Sequence, residues 1–277
     1  MKVSPVYIYN VGDLATLNEG AIESFAIATR KKLVKMLSNI RSFRTDPPKV
    51  IFNFDGTLKS DIESLSKHAV TNGDSLMIAA TRGRSGLRRF LEDSFIENLV
   101  AKSRIPVVTV NESTRPIKKI ARIVFATDFT PESFRVFDRL CAFALETGAK
   151  IHIYSAIPRR DFDEFFYETA AWAWNETDIL RYDYERKHLR ALAKKFERCA
   201  KKHQVTCEVK IDEGAADVAT SILNYCRVVN ADLLALAAKS DTGAVSLFGN
   251  LTQSLIRKSS FPVWTYRAAH RKNLQRA

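Results

Sequence analysis

The sequence predicts an α/β fold: two successive open sheets of parallel strands, with helices on both faces. Three observations predict it. Short apolar runs rich in β-branched residues, such as Ala121-Arg-Ile-Val-Phe-Ala126, alternate with stretches of helical spacing. Pro and Gly stand where the helices should start and stop, as at Pro131 and Gly148. The pattern also occurs twice. Asn72-Gly-Asp-Ser-Leu-Met-Ile-Ala-Ala80 is similar to Asn230-Ala-Asp-Leu-Leu-Ala-Leu-Ala-Ala238, 158 residues on. Lys102-Ser-Arg-Ile-Pro-Val-Val-Thr109 is similar to Lys258-Ser-Ser-Phe-Pro-Val-Trp-Thr265, 156 residues on. Two blocks in the same order indicate a duplication.

In the second repeat the first strand covers 121–126. The following helix starts at Pro131, turns Phe134, Phe137, Leu140, Cys141 and Ala144 inward at helical spacing, and stops at Gly148. Strands over 150–157, 205–211, 232–238 and 263–266 then alternate with helical regions over 161–203, 216–229 and 248–258. The first repeat runs the same way but starts late. Val6-Tyr-Ile-Tyr-Asn-Val11 matches Ile151 to Ala156, and nothing before Met1 corresponds to the strand and helix of 120–147. The segment 111–119, with Pro116 and two lysines, reads as the connection between copies. The expected organisation is therefore an incomplete domain over 1–112, a linker over 113–119, a complete domain over 120–267 and a basic tail over 268–277.

The 277 residues, 46% hydrophobic and 27% charged, can bury real cores, which argues against disorder, collagen-like repeats and a disulfide-stapled miniprotein. No apolar run approaches the roughly 20 residues of a membrane span, and Met1-Lys2-Val3-Ser4-Pro5 opens no secretory signal. A cytoplasmic protein without a membrane partner is expected. The net charge of +12 would suit phosphate or nucleic acid, but the basic residues are interleaved with acids, as in Arg181-Tyr-Asp-Tyr-Glu-Arg-Lys187. Solvated helix faces explain them, and no nucleic-acid partner is expected. The densest basic spots are Arg82, Arg84, Arg88 and Arg89, and the tail from Arg267 to Arg276. Cys141, Cys199, Cys207 and Cys226 include no C-x-x-C pair and read as reduced, mostly buried thiols. The five histidines lack metal-ligand spacing, so no metal site is expected; His152 reads as a satisfied sheet residue.

The second repeat resembles a universal stress protein domain (the UspA-like family). The residues that carry the resemblance are Ala126-Thr-Asp-Phe-Thr-Pro131 after the first strand, Gly148-Ala149-Lys150 entering the second and Glu213-Gly214 after the third. Ala231-Asp232-Leu233 at the fourth strand and Phe261-Pro-Val-Trp264 at the fifth complete them. The first repeat matches from its second strand onward, most sharply at Ala80-Thr-Arg-Gly-Arg-Ser-Gly-Leu-Arg-Arg-Phe-Leu91. The resemblance implies two Rossmann-like (adenine nucleotide alpha hydrolase-like) domains with strand order 3-2-1-4-5. It also implies pairing of the two domains within the chain through their fifth strands, with a homodimer and a regulatory partner as further expectations. The first domain then resembles an N-terminally truncated copy, lacking the central strand 1 and helix 1 of its sheet. Unpaired backbone groups there would cost about 1–3 kcal/mol each. Strand 2 could pair with strand 4, another chain could supply a strand, or the start could lie upstream.

In nucleotide-binding members, an Asp after strand 1 contacts the nucleoside. A loop of Gly, two residues, Gly, nine residues, Gly and Ser or Thr, after strand 4, wraps the phosphates. Glycines let backbone N–H groups approach phosphate oxygens at a helix start. The first repeat keeps Gly83, Arg84, Ser85 and Gly86, and later Ser94, but has Ala80 and Asp93 where the outer glycines should be. Asp93 would set a carboxylate against phosphate. The second repeat keeps Thr127, Asp128, Gly249 and Asn250, but its opening, Ala237 to Gly243, has lost the spacing. Each copy holds what the other lacks. The resemblance thus leads to a non-enzymatic stress-response or regulatory protein with degenerate nucleotide sites and no firm cofactor. The alternative is an ATP- or AMP-binding stress protein, with slow ATPase activity, that uses the Gly83-Arg84-Ser85-Gly86 loop. Asp128 also fits a plain helix-capping role.

No catalytic set is assembled. Phe52-Asn-Phe-Asp-Gly-Thr-Leu58 resembles the phosphate-transfer motif of haloacid-dehalogenase-type phosphatases, but Asn53 stands where the nucleophile should be, and an amide forms no aspartyl-phosphate. Ser85 lacks a nucleophile-elbow context. The aromatic residues from Phe162 to Trp174 read as packing at a core or domain interface, or as a partner surface.

Overall fold

The computed structural model describes residues 2–10, 18–38, 44–80, 88–158, 176–238 and 249–268. They form two compact units, Met1–Asp74 and Ser75–Ala277.

The larger unit is built on one sheet. Its strands are β5 (Met77–Ala80), β6 (Val107–Val110), β7 (Arg122–Ala126), β8 (Lys150–Pro158), β9 (Cys207–Ala215), β10 (Leu233–Ala237) and β11 (Val263–Tyr266). Across the sheet they run β5-β6-β11-β10-β7-β8-β9. Every neighbouring pair is parallel except β6 and β11, where Val263 faces Thr109 and Trp264 faces Val108 in an antiparallel register. The central strands are apolar throughout because both faces are covered: Leu233 to Leu236 and Ile123 to Ala126 are all buried.

Helices α4 (Pro131–Thr147) and α5 (Glu176–Lys202) cover one face; α6 (Val218–Val228) packs on β8 and against α7 (Asn250–Lys258). α4 begins as its sequence dictates. Thr130 caps it by accepting from Ser133 N, Pro131 opens the first turn, and Gly148 ends it at φ 69°. Phe137, Leu140, Cys141 and Ala144 point into the core, while Phe134 is half-buried against it. Phe196 of α5 sits among Phe129, Phe134 and Phe137 at centroid distances of 5.1–5.3 Å, locking the two helices together. Alternation along β8 sends Ile151 and Ile153 into this cluster, whereas His152 and Tyr154 face Tyr225 of α6.

In the smaller unit, β2 (Val6–Asn10) pairs in parallel with β4 (Lys49–Asn53), and β1 (Lys2–Val3) with β3 (Arg44–Thr45). Helices α1 (Glu19–Leu37) and α2 (Leu58–Thr71) complete it. Two separate open sheets, the sequence expectation, are therefore not what forms. The last two strands of the first repeat, β5 and β6, belong to the same mixed sheet as the second repeat, through β11, and β2 and β4 make a sheet of their own. β2 lies beside β4, and β5 beside β6. The two compact units meet in sequence between Asp74 and Ser75. The segment 111–119 is anchored: Asn111 Nδ2 donates to the carbonyls of Ile256 and Ser259, and Arg115 stacks on Phe261 at 4.4 Å.

Helix α3 (Arg88–Lys102) precedes β6. Among the described residues no helix is long and apolar enough to cross a membrane.

Candidate functional site

Strand β7 is the point at which the order of the sheet reverses: β8 and β9 follow to one side, β10 and β11 to the other. In open α/β sheets the crevice at the carboxyl ends of such strands is where ligands are held. Thr127 and Asp128 leave β7 at this point. Thr127 N donates to the carbonyl of Tyr154 at 2.9 Å and its hydroxyl accepts from Phe129 N at 2.9 Å. Phe129 adopts φ 56°, a left-handed conformation that is strained for an aromatic residue, and it is held there by burial against Phe196.

Asp128 is exposed, and its Oδ1 is committed to its own loop. It accepts from Thr130 N at 3.2 Å, Thr130 Oγ1 at 2.8 Å and Ser133 Oγ at 2.7 Å. Together with Glu132 it places negative charge at the positive end of the α4 dipole. This is the geometry of a helix-start clamp.

On the other side of the crevice, Gly249 is the N-cap of α7 and Asn250 its first residue. Gly249 makes no side-chain cap hydrogen bond, and a Cβ built on it would meet nothing within 4 Å. The loop before it, 239–248, lies outside the described residues, as do Gly83, Arg84, Ser85 and Gly86. Ser94 is placed only by its backbone. Because α3 begins at Arg88, Ser94 falls in the second turn, where a backbone N–H is already bonded within the helix. Asn250, at the corresponding place in the second repeat, is at a helix start.

The phosphatase-like segment is a strand-end turn. Asn53 Oδ1 accepts from Asp55 N and Ser60 Oγ while its Nδ2 donates to Asp61 Oδ1, and Thr57 caps α2. The aromatic residues 162–174 and the arginines at 82 and 84 lie outside the described residues. A groove of about 420 Å³ runs along α5 and β9, lined by residues such as Arg190, Lys194, Glu197 and Glu213; it contains none of the predicted site residues.

Two readings of single residues change. His152 is buried in β8, but its Nδ1 has no hydrogen-bond partner, with the nearest carboxylate oxygen, on Glu208, 3.6 Å away. Burial, reinforced by Lys150 and Arg122 and opposed by Glu208, holds its pKa below the usual imidazole value. Tyr154 on the same face is pushed up by burial and by its bond to Asp212 at 2.5 Å. Second, metal-ligating side chains do come together: Asp138, Cys199 and His203. Cys199 and His203 form a Cys-x-x-x-His spacing at the end of the region expected to be helical; what the sequence does not show is that Asp138 meets them.

The universal stress protein family profile matches residues 119–267, over half of the chain, and the chain belongs to that family. Among solved structures, a universal stress protein from Archaeoglobus fulgidus DSM 4304 is 17% identical at TM-score 0.60, covering 98% of this chain and 87% of that one. A functionally unknown protein from Pseudomonas aeruginosa PAO1 is 14% identical at TM-score 0.57, covering 96% and 92%. A universal stress protein solved in complex with cAMP is 18% identical at TM-score 0.41, covering 55% and 100%. At these identities the likeness of the first two is one of fold alone. No curated protein matches the sequence significantly.

Proposed function

We propose that this chain is a non-enzymatic regulatory protein of the stress response, acting in the cytoplasm through protein partners, whose nucleotide sites have decayed. The observation that carries the reading is Asp128: the Oδ1 of the carboxylate expected to meet a nucleoside is bound three times within its own loop. The place of Ser94 inside α3 supports the same reading, because a phosphate needs backbone N–H groups that no helix carbonyl has taken. A second reading, ATP or AMP binding, is favoured by one observation. The α7 start at Gly249 carries no side-chain cap at the crevice where the strand order reverses.

Calorimetry with Mg-ATP and AMP decides between them. Wild type is expected to give no saturable heat with either nucleotide. Submillimolar ATP binding by wild type overturns the proposal.

A further inference from the structure

We propose that Asp138, Cys199 and His203 form a binding site for a divalent ion of the zinc class, on the face of the second repeat where α4 meets α5. The three ligand atoms lie within 4.8 Å of one another. His203 Nε2 is 2.8 Å from Asp138 Oδ1, and Cys199 Sγ is 3.6 Å from the same oxygen. In a tetrahedral zinc site the usual bond lengths put sulfur about 3.5 Å from oxygen and nitrogen about 3.3 Å from oxygen. The sulfur–oxygen edge is thus already in place, and the nitrogen–oxygen edge needs to open by about 0.5 Å.

Local contacts set the positions of these groups. Cys199 and His203 are one helical turn apart, with His203 N donating to the carbonyl of Cys199 at 3.1 Å. The turn is then closed: Gln204 takes φ 58° and Val205 N donates to the carbonyl of Ala200 at 2.9 Å. Phe196, one turn before Cys199, is wedged against Phe134 and Phe137 of α4, which fixes the register of α5 against Asp138. The donor set is a thiolate, an imidazole and a carboxylate, the mixture that a borderline-soft ion prefers. Burial is graded in the way a three-ligand site requires. Cys199 is buried and the Asp138 side chain is 60% exposed, so an ion can reach the site and keep a solvent-facing fourth position. Cys141, fully buried one turn along α4 from Asp138, lies against Cys199 from inside, as a supporting group behind a metal ligand does.

The test uses the full chain, tag-free, reduced and stripped with a chelator. Cobalt(II) is titrated by absorbance, and zinc(II) affinity is measured by competition with a chromophoric chelator. One cobalt per chain is expected, with tetrahedral d–d bands and a thiolate-to-cobalt charge-transfer band. Cys199→Ser should abolish the charge-transfer band. His203→Gln and Asp138→Asn, both on the partly exposed side and checked for native circular dichroism, should each weaken zinc binding about tenfold or more. Cys226→Ser should change nothing. Absence of stoichiometric cobalt binding overturns the proposal. So does binding without charge transfer, or binding that neither His203→Gln nor Asp138→Asn weakens; the trio is then only an ion pair beside a thiol.

Discussion

His152 makes the folded protein sensitive to acid. Its imidazole is buried with Lys150 and Arg122 lowering its pKa, Glu208 partly offsetting them, and Tyr225 against its ring. The folded pKa therefore lies below the unfolded value of 6.5. Below that pH the unfolded chain binds the extra proton and the folded one does not, so stability is complete above 6.5 and falls as the pH drops past it. Denaturation midpoints at pH 7.5 and 5.5 should differ more for wild type than for His152→Gln, which cannot titrate. Equal differences refute the assignment. The sequence showed that His152 lies in a strand. It could not show that no donor or acceptor reaches Nδ1, because that depends on strands and helices far apart in the chain. Asp128 teaches the same lesson: its place after β7 was legible, but the three hydrogen bonds that occupy its Oδ1 were not.

At the scale of elements, α4 was the most readable part of the chain, since its cap, first-turn proline, buried stripe and terminal glycine all agree. Gly148 tests that agreement. Its Cβ would meet nothing within 4 Å, so Gly148→Ala introduces no clash and registers only the cost of a left-handed alanine. A loss of about 1 kcal/mol in chemical denaturation is expected. No loss would mean that the turn relaxes to another conformation. The central strands of the second repeat, β7 and β10, were equally legible, because continuous apolar runs have few other places to go. The trio Asp138, Cys199 and His203 was hidden for the opposite reason. Its members come from α4 and from the C-terminal end of α5, about 60 residues apart in sequence, and their meeting depends on how aromatic side chains set one helix against the other.

At the scale of the whole molecule, buried apolar mass is unevenly shared. The continuous core cluster lies within Ser75–Ala277, whereas the first unit buries Ala26, Val50, Ile62 and Ala69 and leaves Ile27, Val34 and Met36 exposed. Local stability follows such burial. Hydrogen exchange should therefore release the amides of β2 and β4 well before those of β7, β8 and β10, and sparing protease should cut first within the first 74 residues. Uniform protection across both units would contradict this. The alternation of strands and helices over 121–266 was visible in the sequence. What was not visible is that the strands of the first repeat are divided among three sheets, β1 with β3, β2 with β4, and β5 and β6 in the large sheet, since pairing depends on which edges are free and not on the repeat's own pattern.

The antiparallel seam between β6 and β11 also limits how copies of this chain can assemble. Thr109 and Thr265 tie across it to the carbonyls of Val263 and Val107, so the main-chain donors and acceptors along that rim are already satisfied. A second copy could not zip onto either strand without first peeling the other away. Growth of the ladder is left to its two outermost strands, β5 and β9.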